Sequence, residues 1–88
     1  MQMEAYQILL TPIVTEAVFD AIEYENKLVF IIHPKASKAL VKQAFEEIFK
    51  IRPVKVNTTF LPDGRKKAFV KLPDDVVALD IATEFGML

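Results

Sequence analysis

Apolar residues along this chain recur with a period near two in some stretches and near three and a half in others, and prolines fall between the stretches. YQILL (6–10) is short and apolar and predicts a strand, which Pro12 interrupts. Thr15 is placed to cap a following helix, with Glu16 in the first turn, where a carboxylate suits the helix dipole. Val18, Phe19 and Ile22 form the apolar stripe of that helix, Asp20 and Glu23 face away, and Asn26 ends it. KLVFIIH (27–33) is apolar on both faces, the pattern of a central strand covered on both sides, and Pro34 stops it. Ser37 is a good N-cap for a helix over KALVKQAFEEIFK (38–50). Leu40, Val41, Ala44, Phe45, Ile48 and Phe49 make its stripe, Lys38, Lys42, Gln43, Glu46 and Glu47 occupy the other side, and Pro53 closes it off.

Residues 54–72 then alternate. Val54 and Val56 share one face of a first arm, with Lys55, Asn57 and Thr59 on the other. In a second arm Ala68, Val70 and Leu72 oppose Lys67, Phe69 and Lys71. The two apolar rows meet only if paired positions have equal parity, as in 61 with 65. Pro62, Asp63 and Gly64 are then a three-residue hairpin loop, with Gly64 supplying the left-handed residue that such loops need. Beyond Pro73, Asp74 or Asp75 can cap a last helix, with apolar contacts from Val76 or Val77, Leu79, Ile81, Ala82 and Phe85, and Gly86 is its natural stop. The order strand, helix, strand, helix, strand, strand, helix predicts an α+β fold. It is a small layered sandwich, a largely antiparallel four-stranded sheet with helices packed on it, in a single domain over 1–88.

Composition narrows the chemistry. The chain has no cysteine, which removes disulfides and thiolate metal sites and fits a reducing compartment. Its start has Glu4 and no basic segment, unlike a signal peptide, and no apolar run is long enough to span a bilayer, so no membrane insertion is expected. Catalysis has little to work with. His33 and Ser37 stand four apart across Pro34 with no third member, and two glycines cannot build a phosphate-cradling loop. Asp74 and Asp75 are most simply a helix cap. Neither an enzyme nor a cofactor is expected.

Net charge is −1, but it is unevenly placed. Residues 1–26 carry five acids and no base; residues 27–72 carry all eleven bases against three acids, a local charge of +8; residues 73–88 carry four acids. A polyanion responds to the local patch rather than to the total. On the polar face of the hairpin, Lys55, Asn57 and Thr59 lie beside Lys67, Phe69 and Lys71, with Arg65 and Lys66 near the turn. Lysines neutralise phosphates, amides and hydroxyls bond sugar and phosphate, and an exposed aromatic stacks on a base. Lys35 and Lys38 flank a helix start, where free N–H groups favour an anion. The competing reading is a solvated sheet face with lysines that discourage edge pairing, and Phe69 packed under a helix. These residues leave both open.

The segments TPIVTEA, NKLVFII, ASKALVKQAFEEIFKIRPVKVNT, PDGRKKAFVKL and DIATEFGML, in that order, closely resemble the archaeal form of the universal large-subunit ribosomal protein twenty-three family, over nearly the whole chain. The resemblance implies a structural protein of the large ribosomal subunit, cytoplasmic and ribosome-bound, on large-subunit rRNA beside the exit of the nascent-chain tunnel. It implies a neighbouring small ribosomal protein as partner, with the signal recognition particle and the translocon docking transiently. Members in bacteria reach into the tunnel with a long hairpin loop; Pro62-Asp63-Gly64 is too short for that. The family's Pro-x-Val-Thr-Glu segment matches Pro12, Val14, Thr15 and Glu16, and its glutamate position implies Glu16 as the factor-docking residue. Its Asn-Thr matches Asn57 and Thr58, its Lys-Lys-Ala matches Lys66, Lys67 and Ala68, and its basic helix start matches Lys35, Ser37 and Lys38. The expected rRNA-binding set is thus Pro12, Thr15, Lys35, Ser37, Lys38, Lys55, Asn57, Thr58, Arg65, Lys66, Lys67 and Lys71. Ala17 stands where the family usually has lysine, and the first 26 residues lack a base, so contacts there would use backbone and hydroxyls such as Thr11 and Thr15. The alternative is a protein–protein adaptor of the same fold that works through its acidic N-terminal helix, without RNA.

Overall fold

Two N-terminal caps place the first long helices. Thr15 Oγ1 accepts from the Val18 N–H and Ser37 Oγ from the Leu40 N–H, each at 3.2 Å, at the starts of helices Glu16–Glu25 and Lys38–Phe49. The computed structural model describes residues 4–87. Its elements are α1 (Ala5–Ile8), β1 (Leu9–Pro12), α2 (Glu16–Glu25), β2 (Lys27–Ile32), α3 (Lys38–Phe49), β3 (Lys55–Phe60), β4 (Lys66–Lys71) and α4 (Ala78–Glu84). The strands form one antiparallel sheet in the order β1-β2-β4-β3. The expected α+β sandwich is the fold.

The hairpin pairs as its alternation requires. Phe60 pairs with Lys66 and Val56 with Val70, so 61 lies opposite 65, where the Leu61 N–H donates to the Arg65 carbonyl. Gly64, at φ +94°, takes the left-handed position. Gly64→Ala is expected to cost about 1 kcal/mol, because a Cβ is strained there even with open space around it; a shift of the urea midpoint measures it.

All four helices contribute to one hydrophobic core with alternate residues of the strands. Ile8, Ile22, Phe45, Phe49, Ala78 and Ala82 pack with Leu28, Phe30 and Ile32 of β2, Ala68 and Val70 of β4, and Val56 of β3. These residues fill one side of the sheet. The other side carries Val29, Ile31, Lys67 and Phe69, and α2 reaches it at both ends: Val18 lines a groove with Ile31 and Lys67, and Glu25 meets Lys27 and Lys71. Val29 is 2% exposed there and lies outside that core cluster, which fits the cover on both sides that the pattern of residues 27–33 predicts.

Three expectations need correction. The strand predicted over 6–10 is a helical turn, α1, followed by a strand that begins at Leu9. Gln7 Oε1 accepts from the Glu4 N–H at 2.8 Å, and Ala5 and Ile8, three apart, are both buried. Pro12 does not interrupt that strand but ends it, paired with Phe30; β1 is an edge, where a missing N–H disturbs no ladder. Neither Asp74 nor Asp75 caps α4. The N-cap is Val77, which offers no side-chain bond, and Asn26 serves instead from across the chain: its Oδ1 accepts from the Ala78 N–H at 2.7 Å. Gly86 stops α4 as expected, with Met87 N–H donating to the Ala82 carbonyl and Gly86 N–H to that of Thr83.

Candidate nucleic-acid interface

Strand pairing turns the side of the sheet opposite the main core into a grid. Lys27, Lys71 and Lys55 are register partners across β2, β4 and β3. Val29, Phe69 and Asn57 make the next row, and Ile31, Lys67 and Thr59 the third, extended by Thr11 of β1. Neighbouring strands stand about 4.8 Å apart, so the first row holds three ammonium groups on a narrow front. Like charges placed directly opposite destabilise a sheet. Glu25 answers two of them: its carboxylate meets Lys27 Nζ at 3.3 Å, and its carbonyl accepts from Lys71 Nζ. Lys55 is exposed. Lys67 Nζ lies 5.1 Å from the centre of the Phe69 ring.

The third row ends in a groove of about 480 Å³ between the 11–15 segment and the hairpin tip. Pro12, Thr15, Ile31, Arg65 and Lys67 are among its lining residues. Residues that are far apart in sequence thus share one surface. At the tip, Arg65 Nε pairs with Asp63 Oδ2 at 2.8 Å. The Asp63 carboxyl is held below its ordinary value, chiefly by the Arg65 backbone N–H that donates to it, and also by the Arg65 side chain. The ionised Asp63 therefore offsets part of the Arg65 charge.

The other expected residues fall elsewhere. Lys66 has the opposite parity and reaches back to the start of α3, where its Nζ donates to the Ala36 carbonyl at 2.7 Å. It joins Lys35, Ser37 and Lys38 in a second basic cluster. The Ser37 hydroxyl serves there as a cap, and Nδ1 of His33 accepts from the Lys35 N–H. Thr58, paired with Ala68, lies on the helix side, so the Asn57–Thr58 pair is split between faces. Glu16 is exposed at the start of α2. Lys27 is the residue that sequence reasoning missed; it joins the row only because β2 pairs with β4. A hollow of about 200 Å³ between Leu9, Phe30, Phe49 and Phe85 is apolar and carries no charged group. Among the described residues no group of three His, Cys, Asp or Glu side chains is placed to hold a metal, and no helix is long and apolar enough to cross a membrane.

A family model of ribosomal protein L23 matches residues 7–78. The chain belongs to the ribosomal protein L23 family. It is 44% identical over 87 residues to the large ribosomal subunit protein uL23A of Schizosaccharomyces pombe, covering 99% of this chain and 62% of that relative. It is 42% identical over 87 residues to the large ribosomal subunit protein uL23 of Puccinia graminis, covering 99% of this chain and 55% of the relative. Identity to uL23B of S. pombe is also 42%, with 62% of that protein covered. This L23-family chain therefore spans between 55% and 62% of the length of these curated relatives. All three are fungal, and the archaeal assignment drawn from the motifs finds no support in them.

Proposed function

We propose that this chain is a structural constituent of the large ribosomal subunit, without enzymatic activity, and that the sheet face bearing Lys55, Lys67 and Phe69 lies on large-subunit rRNA. The observation that carries this reading is the row of Lys27, Lys71 and Lys55, brought into register from three strands on the sheet face opposite the main core. Within an L23-family chain, a polyanion is the natural counterpart of that row. The relatives' names are those of large ribosomal subunit proteins. The finer parts of the proposal follow from the family resemblance. They are a place at the tunnel exit beside a small ribosomal protein, a cytoplasmic ribosome-bound location, and transient docking of the signal recognition particle and translocon at Glu16. The cluster of Lys35, Lys38 and Lys66 is assigned a second, phosphate-positioning contact.

Lys55→Glu/Lys67→Glu is the direct test. Neither side chain hydrogen-bonds within the hairpin ladder, so the fold is expected to survive. RNA affinity should fall at every salt concentration, and the slope of log K against log salt should flatten by about 1.5–2 units, near one per lost phosphate contact. Unchanged binding and slope would remove this face from the interface. Sedimentation of a lysate through sucrose decides the larger claim. Co-migration with the large subunit that persists into moderately high salt supports it, and release by RNase treatment ties it to RNA. Association that survives RNase favours the adaptor reading, with acidic α2 as the contact.

A further inference from the structure

Resting on that RNA reading, we infer that the middle of the lysine-bearing sheet face holds an unpaired nucleotide, its base stacked on Phe69, and is not shaped for duplex backbone alone. The first observation is position. Phe69 is a half-buried aromatic in the middle of the lysine-bearing face, with Val29 on one side and Asn57 on the other. A half-buried phenylalanine gains less from burial than the fully buried Phe45, and Lys67 Nζ lies 5.1 Å from the centre of its ring.

The second observation is what flanks it. Rows on one face of a strand are two residues apart, about 6.6 Å. The row of Lys27, Lys71 and Lys55 lies on one side of Phe69 and Lys67 on the other. A base on the ring therefore has cations on both sides of it for the phosphates that precede and follow. Asn57 adds an amide, a group that pairs in two-point fashion with base edges. Duplex RNA would use the lysines and leave this centre idle, because its bases are stacked on one another and its major groove is too narrow for side chains.

The third observation is the cost of the arrangement. Three lysines in register repel one another, and the Glu25 carboxylate meets only Lys27, while its backbone carbonyl accepts from Lys71. The Lys67 ammonium already rests over the Phe69 ring, and such an exposed cation–π contact is weak enough for a base to displace. Lys67 then turns to the phosphate of the base that replaces it.

The test compares a short single strand with a duplex of equal phosphate number, using the full chain. Phe69→Leu keeps apolar cover over Val29 and is expected to weaken single-strand binding about tenfold, with duplex binding nearly unchanged. Phe69→Tyr keeps the ring and should restore single-strand affinity. Wild-type protein gives a readout that no folding defect can imitate. Its Phe69 ring resonances should shift with the single strand and stay in place with the duplex. Equal losses on both RNAs with Phe69→Leu, or Phe69 resonances that the single strand leaves unmoved, would overturn the inference. If Lys55→Glu/Lys67→Glu weakens binding in the same experiments while Phe69→Leu does not, only the stacking site fails. If neither changes binding, the RNA reading of the face fails with it.

Discussion

Asn26→Ala is expected to destabilise the domain by about 3 kcal/mol. Asn26 sits at the end of α2 with φ 56°, in the left-handed region where asparagine is tolerated and alanine is strained. Its side chain ties three chain segments together. Oδ1 accepts from the Ala78 N–H at 2.7 Å, and Nδ2 donates to the carbonyls of Val76 at 2.7 Å and Pro73 at 3.0 Å. The Asn26 carbonyl in turn accepts from the Leu72 N–H. Alanine leaves the first N–H of α4 and two partly buried carbonyls without these partners, and adds the backbone strain. Asn26→Gly removes the strain alone and should recover about 1 kcal/mol. Asn26→Asp keeps the acceptor for Ala78 but sets a carboxylate against two carbonyls, and should be close to alanine. Urea midpoints at unchanged m report the effect. Amide exchange gives it a place: α4 should lose protection before α3 does. An alanine variant within 1 kcal/mol of the parent would mean that Pro73 and the apolar contacts of α4 hold this corner by themselves.

Phe45→Ala is expected to cost about 4 kcal/mol. Phe45 is fully buried in α3 and is the meeting point of the aromatic core. Its ring stacks on Phe49 at 4.5 Å between centroids and meets Phe30 of β2 edge-on at 6.0 Å, and Phe49 passes the contact to Phe85. Removing it leaves a cavity between the helix layer and the central strand. Small domains hold only about 5–15 kcal/mol in total, so this loss threatens folding at physiological temperature. Phe45→Leu should lose roughly half as much, because leucine fills part of the space. The functional readout follows from the geometry. Phe30 and Val29 are adjacent on β2 and face opposite sides of the sheet. Where the Phe45 variant remains folded, RNA affinity should stay near the parent value, since the lysine grid is a property of strand pairing. A large loss of affinity in fully folded protein would show that the core, and not pairing alone, sets the spacing of that face.

Much of this protein is legible in one sequence because much of it is local. Thr15 and Ser37 cap helices from three residues away. Gly64 and Gly86 take positive φ where a hairpin loop and a helix end demand it, and the alternation of residues 54–72 admits a single register. The same alternation separates Lys55, Asn57, Lys67 and Lys71 from the core, so most of the candidate surface is readable too. Each of these is a choice among conformations of a few neighbouring residues, and side-chain period and capping chemistry decide it.

The sequence could not show which strands lie side by side. Pairing β2 with β4 aligns Lys27 with Lys71 and Lys55 and sets Phe69 beside Val29 on the same face. Nothing periodic in a chain marks a partner some forty residues away. The turn at Ala5–Ile8 was hidden for the same reason, since an apolar run this short suits a strand or a helix until its burial partners are known. Asn26 reads locally as a helix stop, which it is. Its second task, capping α4 in place of Asp74 or Asp75, exists only once folding has carried Ala78 to within 2.7 Å of its side chain. Local pattern and capping chemistry set the longer helices, the hairpin register and the basic stretch over residues 27–72. Tertiary structure decided which cations stand in one row and which side chain caps the last helix, because those depend on contacts between distant segments that leave no trace in local pattern.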